Sequence, residues 1–204
     1  MQSTQAFGQT QSGWWWNPIQ PGRGFFIEQQ GTTIFFAGYL YADNGRASWL
    51  SSAMRLTSTN DFSAPLQIFS GGQTLTGPWR QNVEDQPIGQ ARLQLSATQH
   101  ALLTWPGGGV QIERAEFVAG GLSSTNSVGT PQTGWWWNSS EPGRGFSIEV
   151  QNGVMFLGGF MCDDSSRPIW YLSRAGANDC ASAIQRSLVA IRQWTNATRA
   201  ISSS

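Results

Sequence analysis

One phrase occurs twice in this chain and constrains everything else. Ser12 opens "SGWWWNPIQPGRGFFIE" and Thr133 opens "TGWWWNSSEPGRGFSIE". Gly13 and Gly134 lie 121 positions apart, and the offset persists downstream. Gly38, Asp43, Arg46, Trp49 and Ser52 meet Gly159, Asp164, Arg167, Trp170 and Ser173. A period this long implies a duplicated, domain-sized unit rather than a solenoid. Pro18-Ile19-Gln20 stands against Ser139-Ser140-Glu141, so the two phrases have drifted between their shared positions.

Within the first unit the apolar period is two, the period of a strand. "GFFIEQQ" places Phe25 and Ile27 on one face and Phe26 and Glu28 on the other. "TTIFFAGYLY" and "ASWLSSAMRL" follow, separated by a turn whose Asn44-Gly45 is a strong hairpin signal. "APLQIFSG", "TLTGPWR", "GQARLQLSA", "ALLTW" and "VQIERAEF" complete the set, with turn residues between them. About seven to nine short strands with short connections require antiparallel neighbours. The expectation is an all-β fold, an antiparallel meander that removes its open edges by closing as a small barrel.

The expected organisation is a linker-like start at 1–12, a first barrel at 13–118, a Gly/Ser/Thr connector at 119–133, and a partial second unit of about four strands at 134–176. The start resembles the end of the connector, so the chain reads as beginning inside a linker of a longer array. An atypical tail follows at 177–204. Two readings compete for it. Ile184, Leu188, Ile191 and Trp194 have helical spacing, with Asn178 or Asp179 as cap. Alternatively, codons chosen for Ile184 to Ser203 and read one nucleotide forward spell "FSGRWLRYANGQTLPGPYR", which aligns without a gap to Phe62–Arg80, "FSAPLQIFSGGQTLTGPWR". That second reading is a frameshift hypothesis, with the shift near Arg174 to Asn178. Resequencing the DNA tests it, and codons incompatible with the spelled string would sink it.

Composition narrows the function classes. Twelve basic residues, all arginine, balance 12 acidic ones, so a nucleic-acid partner has no support. No apolar run is long enough to span a membrane, and no signal peptide is visible at the start. No cofactor is implied. No metal is implied either, because one histidine, His100, and two separated cysteines, Cys162 and Cys180, make no ligand set. His100 reads as a solvated turn residue. The acid pairs Glu28 with Asp43 and Glu113 with Glu116 are the only candidates for glycoside hydrolysis. Gly107-Gly108-Gly109 lies between two strands and not before a helix, so it does not cradle phosphate.

The "GWWWNPxxxGRGFxIE" phrase resembles Trp-rich repeats of secreted bacterial proteins of uncharacterised role. Gly13 to Asn17 followed by Gly24 to Ile27 is loosely similar to the opening of lipocalin and avidin barrels, whose tryptophan closes the barrel floor. These resemblances imply a calycin-like barrel and an extracellular or cell-surface setting. On a strand, Trp14 and Trp16 share one face and Trp15 takes the other. Exposed tryptophans stack on sugar rings, and barrel mouths hold small ligands. The first expectation is therefore a non-enzymatic binding module for a carbohydrate or small apolar ligand. Its candidate residues are Trp14, Trp15, Trp16, Arg23, Phe26 and Glu28, with Trp135, Trp136, Trp137, Arg144 and Glu149 as counterparts. The same residues have a structural reading as core anchors, with Arg23 paired to Glu28 or stacked on an indole. Trp49 and Trp170 read as core. A second expectation is a structural or interaction repeat of a larger surface protein, with self-association through the incomplete unit. A third is a glycan hydrolase using Glu28.

Overall fold

Alternation along the first strands sends one set of side chains inward and the other outward, and both sets are largely apolar. That pattern dictates the architecture. The computed structural model describes residues 9–85, 87–125 and 129–177. Ten strands come from the first unit: β1 (Gly13–Trp16), β2 (Gly24–Gln30), β3 (Thr33–Tyr41), β4 (Ala47–Ser58), β5 (Asp61–Leu66), β6 (Phe69–Ser70), β7 (Val83–Glu84), β8 (Gly89–Ala97), β9 (His100–Trp105) and β10 (Gly108–Arg114). Eight of them close into an antiparallel barrel in the order β1-β10-β9-β8-β5-β4-β3-β2. Strands β6 and β7 form a separate two-stranded ribbon. The Asn44-Gly45 signal is a hairpin turn: Gly45 has φ +77° and Ala42 N–H donates to Arg46 O at 2.8 Å.

The inward set fills the barrel. Trp15, Phe25, Ile27, Ile34, Phe36, Met54, Phe62, Leu93, Leu103 and Ile112 form one buried cluster. Each such side chain contributes about 1.5–3 kcal/mol on leaving water. This cluster is the interior of a packed barrel, whose ladder closes where Trp15 pairs with Arg114.

The outward set of β1 to β4 is not left to solvent. Four more strands, β11 (Gly134–Trp137), β12 (Gly145–Gln151), β13 (Val154–Cys162) and β14 (Pro168–Gly176), make a sheet in that order. This sheet lies on the barrel wall. Trp14, Phe26, Ala37, Tyr39 and Trp49 from the barrel pack with Trp135, Phe156, Phe160 and Trp170 from the sheet. Trp14 meets Phe156 edge-on at 5.0 Å, and Trp49 meets Phe160 at 5.0 Å. The opposite face of the sheet carries Phe146, Ile148, Val150, Met155 and Leu157. These positions stand 121 residues beyond Phe25, Ile27, Gln29, Ile34 and Phe36.

Two details depart from the sequence expectations. "TLTGPWR" is not a strand. Its backbone is taken by the second sheet, because Arg144 Nη1 donates to Thr74 O and Leu75 O at 2.9 and 2.8 Å. The connector is pinned at its start by a 3-10 turn at Gly121–Ser123, with Gln11 Nε2 donating to Leu122 O at 3.0 Å. Of the two structural readings of Arg23, stacking on an indole is the one observed: it sits over the Trp105 ring at 5.5 Å and donates to Gln20 Oε1. The tail helix, the frameshift segment and Cys180 lie outside the described residues. Cys162 carries a buried free thiol, and burial pushes its pKa up.

Candidate functional site

The shared phrase converges on the seam between barrel and sheet. There the barrel and the sheet exchange hydrogen bonds reciprocally. Trp14 N–H donates to Glu149 Oε2 at 2.7 Å, and Trp135 N–H donates to Glu28 Oε2 at 2.7 Å. Each carboxylate is steadied by an amide two residues on: Gln30 Nε2 donates to Glu28 Oε1 at 2.6 Å, and Gln151 Nε2 to Glu149 Oε1 at 2.8 Å. Trp49 Nε1 donates to Met161 O at 2.8 Å, and Trp170 Nε1 to Leu40 O at 2.8 Å. Every partner in one contact lies 121 positions from its counterpart in the other. Residue i touches j while the counterpart of j touches that of i, the signature of an isologous, two-fold contact.

The glycine before the tryptophans has a physical reason at this seam. Gly13 has φ +134° and Gly134 φ +158°, backbone that side chains rarely adopt. A Cβ on Gly13 would strike Glu149 Oε2, and one on Gly134 would lie 2.9 Å from Glu28 Oε2. The glycine admits the carboxylate to the strand's first N–H groups.

Around this symmetric frame the electrostatics differ. Arg114, at the end of β10, reaches across to Glu149 with Nη2 at 2.5 Å and Nη1 at 3.2 Å. Its Nη1 also donates to Trp14 O at 2.5 Å. Both side chains of this pair are buried. Glu28 has no cationic partner among the described residues. It opens into a cleft of about 300 Å³ lined by Glu28, Gln30, Phe35, Trp135, Trp137, Gly143, Arg144 and Phe160. Arg144 lines the cleft but is engaged elsewhere, by Glu141 Oε2 at 3.1 Å and the two carbonyls of the irregular segment. Tyr39 adds an asymmetric bond, its hydroxyl 2.7 Å from Ser147 Oγ. Burial raises the Tyr39 phenol above its ordinary pKa, and the bond to Ser147 offsets part of that rise.

The candidate residues therefore divide. Trp15 is fully buried inside the barrel, and Trp14 (3 % exposed) and Phe26 are buried in the seam. Glu149 is buried against Arg114. Glu28, Trp135, Trp137 and Arg144 come together at the cleft. Trp16, the last residue of β1, is 38 % exposed and Trp136, within β11, 46 %, and Arg23 stacks on Trp105 away from the cleft. The indole N–H groups of Trp14 and Trp135, again counterparts, are buried without a hydrogen-bond acceptor. His100 begins β9 and lies 3.9 Å from Glu113 in an exposed pair, which contributes little. No group of three or more His, Cys, Asp or Glu able to hold a metal occurs among the described residues, and no described helix is long and apolar enough to cross a membrane.

Arg114 and Tyr39 were not singled out by the sequence. Neither has an identical counterpart 121 positions on, since that position falls beyond the chain for Arg114 and is Phe160 for Tyr39. Gln30 and Gln151 did carry a signal, being identical at the shared offset. No family model, curated protein or solved structure matches this chain.

Proposed function

We propose that this chain is a structural interaction module, and that "GWWWN…PGRGFxIE" is the device that couples one β unit to the next. In this reading the sheet β11–β14 is the opening part of a second copy of the barrel, placed on the first by a two-fold relation. The observation that carries it is the reciprocal exchange of Glu28 and Glu149 onto the N–H groups of Trp135 and Trp14. Trp14, Trp135, Glu28 and Glu149 make their contacts across the seam, which supports a coupling role over a ligand platform. An extracellular or cell-surface setting within a larger protein belongs to the same proposal.

The barrel alone provides the test. Its ladder is closed and its interior has its own core. Its β1–β4 wall carries both halves of the exchange, so residues 9–119 should pair with a second copy through Glu28 and Trp14. Analytical ultracentrifugation should show a dimer, and Trp14→Ala or Trp49→Ala should give a folded monomer. A wild-type barrel that stays monomeric at high concentration would remove the coupling reading.

A second reading has one observation in its favour: the cleft gathers Glu28, Trp135, Trp137 and Arg144, two indoles and two charged groups suited to a sugar or small apolar ligand. Tryptophan fluorescence titrated with oligosaccharides, with Trp137→Ala as control, tests it. Among the described residues Glu28 is the only carboxylate lining this cleft, so a paired-acid hydrolase draws no support from it.

A further inference from the structure

We infer that the free edge of β11 and the Glu28 cleft together form a docking seat for one arginine-bearing β-strand of the β10 pattern. This rests on the equivalence of the two units, and the barrel-dimer experiment above tests that equivalence separately.

In the barrel, β1 has two neighbours, β2 and β10. Its counterpart β11 pairs with β12 alone among the described residues. A strand edge with unpaired N–H and C=O groups is a template for strand addition. The register of the missing neighbour follows from the barrel. Trp15 faces Arg114 and Trp16 faces Glu113, so a strand docked on β11 would set its arginine opposite Trp136 and its glutamate opposite Trp137.

The seat also has the right charge. At the first unit's seam the two terminal nitrogens of Arg114 serve three acceptors, both oxygens of Glu149 and the carbonyl of Trp14, while its Nε donates to Gln11 Oε1 at 3.3 Å. The same three acceptors stand at the second seam as the oxygens of Glu28 and the carbonyl of Trp135. There Trp135 N–H and Gln30 already occupy Glu28 in the manner of Trp14 N–H and Gln151 on Glu149. The one component without a counterpart is the guanidinium. Exposure agrees: Trp15, inside the closed barrel, is 0 % exposed and Trp16 38 %, whereas their counterparts Trp136 and Trp137 are 46 % and 61 % exposed. Asn17 Nδ2 donates to Gln111 O on β10, and Asn138 stands at the equivalent place on the second unit. The occupant chosen by this geometry is an extended segment resembling "GGVQIERAEFV", with arginine rather than lysine, because two carboxylate oxygens and a carbonyl suit a planar fork of donors.

The test uses the full chain and a fluorescein-labelled peptide of residues 108–118. Fluorescence anisotropy should show saturable binding with one peptide per chain. The R114Q peptide should bind roughly tenfold more weakly or worse, from loss of a charge-assisted bidentate contact. In the Glu28→Gln chain, which keeps an acceptor for Trp135 N–H, that discrimination should vanish. Hydrogen exchange should show protection of Trp137 N–H on binding, since Trp16, its counterpart, is the residue of β1 that faces Glu113 on β10. Absence of saturable binding overturns the inference. So does discrimination that survives Glu28→Gln. If discrimination vanishes instead in Glu149→Gln, the peptide has displaced β10 from the barrel, and the inference fails equally.

Discussion

Replacing Arg114 by methionine should separate the two seams energetically. Methionine keeps most of the apolar stem but removes the guanidinium, leaving the buried Glu149 carboxylate without its cation. Breaking one partner of a buried pair typically costs about 3–5 kcal/mol. Here the lower end applies, because Glu149 retains Trp14 N–H and Gln151 Nε2 as donors. Trp14 O likewise retains Ala115 N–H at 2.8 Å. A loss of about 3 kcal/mol lowers the melting temperature by roughly 6–12 °C in a chain of this size. Glu28→Gln, at the partly exposed counterpart, should cost less than about 1 kcal/mol, since only a neutral-for-charged acceptor exchange occurs there. The double variant Arg114→Met/Glu149→Gln should recover much of the loss, because the amide still accepts from Trp14 N–H and no charge stays buried. Thermal unfolding followed by tryptophan fluorescence and circular dichroism reads all three. Equal shifts for Arg114→Met and Glu28→Gln, or no recovery in the double variant, would refute the reasoning.

Other outcomes follow from the same seam. Gly13→Ala should destabilise more than Gly134→Ala, because its Cβ meets Glu149 Oε2 and the Arg114 guanidinium in a buried setting, whereas Gly134 meets Glu28 beside an open cleft; denaturant midpoints with unchanged slopes check the order. Tyr39 supplies a pH dependence. Its folded pKa is raised, so the protonated phenol's contribution is fully present below the unfolded value of about 10 and is lost as pH rises beyond it. Unfolding midpoints should therefore fall above about pH 10, and Tyr39→Phe should flatten that fall; an unchanged slope in Tyr39→Phe would assign the alkaline loss elsewhere.

Alternation in "GFFIEQQ" and "TTIFFAGYLY" was sufficient to read antiparallel strands and a closing barrel, because a period of two has one physical meaning on a pleated backbone. The 121-residue offset likewise marked which residues answer each other, down to the glycine before each tryptophan triplet. Sequence alone could not say which face of each strand looks inward. Trp15 fills the barrel while Trp14 meets the sheet, and both faces of β1 read as equally apolar. "TLTGPWR" shows the converse failure: its alternation fits a strand, yet Arg144 from the other unit takes its carbonyls and holds it irregular.

Local pattern thus determined the elements, their antiparallel order and the paired identity of Glu28 with Glu149 and Trp14 with Trp135. Only the tertiary structure decided that these pairs bond across units rather than within them, since a carboxylate's partner is chosen by which strand end the fold carries to it. Arg114 makes the same point. It lies 35 positions from Glu149, with nothing periodic to link them. Barrel closure brings β10 beside β1, and sheet packing brings Glu149 to both. That juxtaposition gives one glutamate a buried counter-ion and leaves its twin facing a cleft.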